Sequence, residues 1–566
     1  MYFFHLFRSF VPSRNPIGFS AIDFIALACA GLIVACLLVW PWIQPKLQGL
    51  SCHTLWSMMI LAFATLLLRL SLLGHCPVPT PSGSDDFGYL LLGDTLAHFR
   101  LANPPHPFSQ FFETPFVLQQ PTYSSIYPLG QGIVLAIGQL LFGQPWAGVL
   151  LSSALVCALS YWMLRGWTSP GWALLGGFLA MIEFGPLSYW TNSYWGGSVA
   201  ACGGCLVFGS LARLKQQSQA KYAALTGAGV AISLLTRPFE SVLLLISVLA
   251  YLALMRPRMI LHRSLVAAFL AGVAPAILLI LAQNRAVTGD WTMMPYQLSR
   301  YQYGVPTTFT FQPNPIPHRP LTRQQQLDYE AQAAVHGDGH ETLKKYLARL
   351  GSRSRIYRFF LLAPLYLAFL AFLATAFRSR EAVWIMGTLL LFALGSNFYP
   401  FFYPHYLADI ACLFVLAAVL GLQQLEKWRL ARPILVICAA HFLFWYGLHL
   451  TAGDDIASVM TRYDPWDYIN FGDPEGRVAI NRQLKNAKGK QLVFVHYEPS
   501  HVFHNWIHNA ADIDRAHVVW ARDLGPEENQ KLLRYFSDRT AWILDPDAKP
   551  PSLKPYSGET PLQPVR

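Results

Sequence analysis

Apolar runs of helix length recur along most of the chain and alternate with short polar segments, several of them basic. They fall at about 22–43, 54–74, 146–164, 171–189, 197–213, 221–236, 239–255, 264–284, 356–377, 382–399, 403–421 and 432–450. As helices, each would cross or nearly cross about 30 Å of hydrocarbon. The stretch 130–142 is apolar too, but Pro128 and Pro145 bound it, so it reads either as a further span or as an interfacial helix. Three longer polar stretches interrupt the pattern: 75–127, 285–355 and the tail 452–566. The tail differs in kind. Gln491–Tyr497, His517–Trp520 and Ala541–Leu544 read as short buried strands, and Pro526–Phe536 as an amphipathic helix. That alternation predicts a small α/β domain. The pattern therefore predicts an all-α polytopic membrane protein of about 12–13 transmembrane helices over 1–451, followed by a soluble α/β domain over 452–566.

Composition agrees. Of the 566 residues, 54 % are hydrophobic and only 13 % charged, against a soluble norm of about 25 %. Mean hydropathy is +0.33. A soluble core is excluded as the source of these runs. The net charge of +11 does not point to nucleic acid, because most of the basic residues sit in short clusters between apolar spans. The clusters are Arg213/Lys215/Lys221, Arg256/Arg258/Arg263, Arg378/Arg380 and Lys427/Arg429/Arg432. All four are cytoplasmic if 130–142 does not cross, and the loops 75–127 and 285–355 and the tail are then extracytoplasmic. The N-terminus, with Arg8 and Arg14, would then lie outside as well, against the same rule. If 130–142 crosses, the first loop moves inside. The first apolar run lacks a small-residue cleavage site and reads as a retained helix. Most of the nine cysteines lie in apolar spans and none in the tail, so no disulfide framework is expected. The Cys202-Gly-Gly-Cys205 spacing reads as helix packing.

The chemistry-bearing feature is Asp85-Asp86, directly after the span at 54–74. Two carboxylates this close repel, so their pKa values separate unless a cation lies between them. They could act as acid and base, or bind a divalent cation such as Mg, Mn or Ca, with Glu113 as a further metal candidate. They could also simply open a surface helix, where the dipole favours anions. His504 and His508 have the spacing of a zinc pair, but domain-contact histidines are the simpler reading.

After that pair come Tyr89, an Ala/His/Arg stretch, a Tyr-Pro segment, Phe142-Gly143 and a series of Gly/Ala/Leu-rich spans. This order resembles the GT-C glycosyltransferases, above all the protein O-mannosyltransferase and aminoarabinose–lipid A transferase group and its bacterial relatives. Those enzymes carry an acidic pair, often Asp-Glu, in the first extracytoplasmic loop; here the second acid is shortened to Asp. The resemblance covers roughly 50–450 and implies a multi-pass enzyme of the bacterial inner (plasma) membrane, with its site and tail outside. It implies a polyprenyl-phosphate sugar donor, a lipid, glycan or protein acceptor, and inversion by a single displacement. Asp85 would be the general base, Asp86 its supporting acid, and Tyr89 a substrate contact.

The leaving lipid phosphate needs cations. Arg237, in Thr236-Arg-Pro-Phe239, stands at a break where family members often carry Lys; it also suits a snorkelling interfacial role. His405 and Tyr406 begin another span, as phosphate contacts or as part of an aromatic belt. Arg355, with Arg353 and Arg358, precedes the span near 356. Tyr189, Asn192, Tyr194 and Trp195 suit a sugar face and its hydroxyls, and equally a membrane interface. The rival class is a transporter or flippase. Against it, the charges gather at one face and no inverted repeat is visible.

Overall fold

The computed structural model describes residues 48–255, 262–451, 476–501 and 504–557. The span expected at 22–43 lies outside the described residues. In chain order the helices begin with α1 (Thr54–Leu70), α2 (Ser84–Ala97), α3 (Leu129–Phe142), α4 (Pro145–Leu164), α5 (Pro170–Phe184) and α6 (Ser198–Gln216). Next come α7 (Ala220–Thr236), α8 (Pro238–Met255), α9 (Arg263–Thr288), α10 (Pro295–Tyr303), α11 (Arg323–His336) and α12 (Leu343–Arg353). The series closes with α13 (Leu365–Thr375), α14 (Arg380–Ser396), α15 (Ala411–Glu426), α16 (Ala431–Thr451), α17 (Arg477–Asn486) and α18 (Pro526–Tyr535). Every apolar run predicted between 54 and 450 forms a helix within a few residues of its expected bounds, although that at 356–377 starts later, at Leu365. Five are long and apolar enough to cross a membrane: Pro145–Leu164, Ser198–Gln216, Pro238–Met255, Arg263–Thr288 and Pro404–Glu426. Shorter apolar helices accompany them. The chain is a polytopic, predominantly helical membrane protein with a small C-terminal sheet.

The chain divides into two compact units. The first comprises 1–78, 146–279 and 341–469. Its helices approach through glycine, as expected where lipid supplies no hydrophobic drive and contact depends on close packing. A Cβ on Gly203 of α6 would lie 2.7 Å from the Gly229 carbonyl of α7, and one on Gly229 would lie 2.6 Å from the Gly203 carbonyl. Here α6 and α7 touch backbone to backbone. Cys202 and Cys205 are free and buried on α6, in keeping with a packing role.

The second unit comprises 79–145, 280–340 and 470–566. A two-stranded antiparallel ribbon pairs β1 (Val117–Leu118) with β2 (Ser124–Ser125), and the larger sheet has the order β4-β3-β5-β6, from β3 (Lys490–Val495), β4 (Val518–Arg522), β5 (Arg539–Asp545) and β6 (Ser552–Pro555). The first three are parallel and β6 is antiparallel; Val493 pairs with Trp520 on one side and Trp542 on the other. Both faces of β3 are buried, which is why it reads as an unbroken apolar run. One core cluster joins Leu91, Phe111, Phe112, Val117 and Tyr123 to Leu492, Phe494, Val519 and Leu532. Sequence separates the tail from the loop 75–127 at residue 452; the second unit joins them through this cluster, and a further cluster, with Ile480, Leu484, Val493, Trp506 and Trp520, is the tail's own. The stretch 129–142 also falls in this unit as α3. At 14 residues, it measures only about 21 Å.

Candidate active site

In the second unit, α2 opens on the acidic pair. Asp86, fully buried, occupies the third helical position and turns back over its own N-terminus. Its Oδ2 accepts from the amides of Ser82, at 3.1 Å, and Gly83, at 3.4 Å. The carboxylate thus satisfies donors that the first helical turn leaves open. In this structure Asp86 caps its own helix through Oδ2.

Asp85 is half-buried, and its Oδ1 accepts from the Tyr127 hydroxyl. The Tyr127 ring stacks on Tyr89, with centroids 4.0 Å apart. A Cβ on Gly88 would lie 2.6 Å from a Tyr127 ring carbon, so only glycine lets the phenol lie over α2. Gln283 holds the Tyr127 carbonyl at 2.9 Å. Tyr89 is buried beneath this stack, so it supports Tyr127 rather than facing a substrate. A third carboxyl, Asp328 of α11, is buried and has its pKa raised to about 6. Burial is the chief cause. The Gln332 amide, donating at 3.0 Å, opposes it, and the nearby Asp85 charge adds to it. Sequence reasoning missed both Tyr127 and Asp328.

Glu113, the further metal candidate, is engaged by two side chains. One oxygen pairs with Arg319 Nη2 at 2.8 Å and the other accepts from Gln325 Nε2 at 3.1 Å. Asp94 is likewise structural, its Oδ2 accepting from the Ala511 amide at 2.7 Å. Among the described residues, no three His, Cys, Asp or Glu side chains are grouped to hold a metal ion.

In the first unit, Arg237 ends α7, and its guanidinium lies 4.7 Å from the centroid of the Tyr406 ring. The adjacent His405 is buried. Its backbone amide donates to the Tyr189 hydroxyl at 3.1 Å, and that hydroxyl meets His405 Nδ1 at 2.9 Å. Trp195 stands edge-on to His405, at 5.9 Å, and to Tyr403, at 5.0 Å. Arg237, His405, Tyr406, Tyr189 and Trp195 are therefore brought together. Two further acids join them. Asp409 is buried and accepts from Ser233 Oγ at 2.8 Å; Glu240 is buried one helical turn after Arg237. Both feel the Arg237 charge. The one-turn spacings Arg237/Glu240 and His405/Asp409 are the signal that could have found them.

Asn192 does not face a sugar. Its Oδ1 accepts from Arg69 Nε at 2.7 Å, and its amide nitrogen donates to the Ser188 carbonyl at 2.7 Å and the Pro186 carbonyl at 3.1 Å. Arg69, fully buried, also donates to the carbonyls of Cys76, at 3.0 Å, and Pro77, at 2.9 Å. Tyr194 is buried as well. The run 188–197 is largely core, not an exposed sugar face. Arg353 is spent on the carbonyls of Ser396, Tyr399 and Pro400. Arg355 falls in the 3₁₀ turn Ser354–Phe360, and its side chain lies outside the described part.

No family model and no curated protein matches the chain. Solved structures do. ArnT from Cupriavidus metallidurans bound to undecaprenyl phosphate covers 86 % of this chain and 92 % of its own, with a TM-score of 0.51 at 11 % identity. The chain has the GT-C glycosyltransferase fold. At that identity the likeness shows the fold alone. The apo Archaeoglobus fulgidus oligosaccharyltransferase covers 87 % of this chain and 69 % of its own, with a TM-score of 0.40 at 12 % identity. Within the GT-C fold, Asp85 lies in one unit and the Arg237 cluster in the other.

Proposed function

We propose that the chain is an integral-membrane glycosyltransferase. It would move a sugar from a polyprenyl-phosphate donor to an acceptor hydroxyl at the extracytoplasmic face of a bacterial inner membrane. The observation that carries this reading is Asp85: a half-buried carboxylate at a helix start, fixed by a phenol, in a chain of GT-C fold. A partly desolvated carboxylate held in one orientation suits proton abstraction. The undecaprenyl phosphate bound to ArnT supports the class of donor.

In the proposed step the acceptor oxygen bonds to the anomeric carbon as its proton passes to Asp85. The bond from that carbon to the phosphate oxygen breaks, and the electron pair leaves with the lipid phosphate. One displacement inverts the anomeric centre. Taken by itself, the Arg237 cluster of the first unit would serve as a phosphate-binding group, because the guanidinium fork suits a lipid phosphate. His405, Tyr406 and Trp195 would line that position.

The test is sugar transfer by membranes carrying the wild-type or Asp85→Asn protein, with the product's anomeric configuration read by NMR. Undiminished transfer in the variant removes Asp85 from the base role, and retained configuration removes the single displacement. A second reading, a transporter or flippase, draws on Glu240 and Asp409, acids buried at the ends of apolar helices. Substrate flux into proteoliposomes with no sugar transfer would favour it.

A further inference from the structure

A cavity of about 230 Å³ lies within the second unit, away from Asp85 in sequence and built from different elements. It sits at the carboxyl ends of β3 and β4, lined by His496 and Tyr497 just beyond one strand and Arg522 and Asp523 at the end of the other. Arg323 and Gln324, the first two residues of α11, line it too. In open α/β sheets, crevices outside the carboxyl ends of parallel strands are where ligands bind. Here a helix N-terminus, with its partial positive charge, opens at the same place.

The charges do not balance within the protein. Arg522 is nine-tenths buried, yet its hydrogen bonds go to neutral oxygens, Gln324 Oε1 and, at 3.2 Å, Thr322 Oγ1. Its Nε–H has no partner. Glu113 acts on it through space but is already paired with Arg319. Burial lowers the Arg522 pKa, so its charge is held at a cost that a bound anion would offset. Arg323 is exposed, donating to the Pro499 carbonyl at 3.3 Å. Opposite stands one acid, Asp523. It is occupied: Oδ2 meets His496 Nδ1 at 2.7 Å, and Oδ1 accepts from Asn529 at 2.7 Å and from the Gly525 amide at 3.0 Å. That contact fixes the His496 ring while leaving the imidazole half exposed.

We propose that this cavity is a binding site for a small, water-soluble oxyanion of sugar size, such as a sugar phosphate or a uronate, held by Arg522, Arg323, His496 and the N-terminus of α11. Its volume admits a monosaccharide rather than a lipid, and Val495 and Pro499 are the apolar members of its lining.

The test is calorimetric titration of the full chain in neutral-lipid nanodiscs with glucose 1-phosphate, glucuronate and glucose. Saturable binding of an anionic probe, with glucose at least about tenfold weaker, is expected. Arg522→Gln should weaken the anion about tenfold or more. The exposed pair Arg323→Ala/His496→Ala should weaken it about threefold to tenfold with the melting temperature unchanged. If Arg522→Gln does not fold, the double variant decides. Binding should persist in Asp85→Asn. Equal binding of glucose, no loss in the double variant, loss in Asp85→Asn, or displacement of the probe by phosphatidic acid in the disc would overturn the proposal.

Discussion

Two clusters of ionisable groups invite comparison: Asp85 with Tyr127 and Asp328 in one unit, and Arg237 with His405, Glu240 and Asp409 in the other. Asp85 is half-buried and held through one oxygen by a neutral phenol. His405, Glu240 and Asp409 are buried at the ends of apolar helices, and His405 is fixed at both its amide and its ring by one tyrosine. In the proposed reaction the difference would separate two tasks. A group that must take up and release a proton keeps access to water. A group that must hold a charged partner in place gains from being rigid and dry.

The largest expected effect is on the first cluster. Asp85→Asn should lower the transfer rate by about 10² to 10⁴, the range for a lost general base, with donor affinity nearly unchanged. A parallel fall in rate and affinity would erase the distinction between the two clusters.

Asp328 sharpens the comparison through pH. Its folded pKa, about 6, stands above the ordinary carboxyl value of 3.8. Between those values the folded state holds a proton that the unfolded state has released, so this group makes stability fall as pH rises, by up to about 3 kcal/mol above pH 6. Asp328→Asn should therefore melt higher than wild type at pH 8 and equally at pH 4, measured by differential scanning calorimetry. A constant gap would place the strain elsewhere.

Asn192→Ala should cost about 2 kcal/mol, because buried Arg69 loses a charge-assisted partner. Thermal melting checks this, and sugar affinity should follow stability alone. A selective loss of affinity would restore Asn192 as a sugar contact. Smallest is Tyr189→Phe, which removes the phenol shared by the His405 amide and ring and should cost about 1 kcal/mol of donor affinity, roughly fivefold. Unchanged donor binding would detach His405 from the phosphate role.

The helices were legible because a membrane span is written in one dimension: about twenty apolar residues between polar stops. The strands of the tail were legible for the same reason, since β3 is apolar on both faces. Asp85 stood out because two acids beside a span are costly to place by chance. Its partners were hidden. Tyr127 lies 42 residues further along, and Asp328 sits in a polar helix, α11, of the distant loop 285–355. The run 188–197 was misread because amides and aromatic rings serve a buried network as well as a sugar, and Arg69, the residue that claims Asn192, is 123 residues away. The spacings that mark Glu240 and Asp409 were present but ambiguous in helices that are apolar throughout.

The core of the second unit has a consequence for biosynthesis. Leu91, Phe111 and Phe112 close on Leu492, Phe494 and Val519, so the loop that presents Asp85 waits for strands made only after the last helix of the bundle. A ribosome stalled anywhere before β4 would release a chain with its spans inserted and its acid loop still unsupported. Completion of the tail is thus a built-in timer: the membrane receives the scaffold early, and the loop around Asp85 gains its core only at the end.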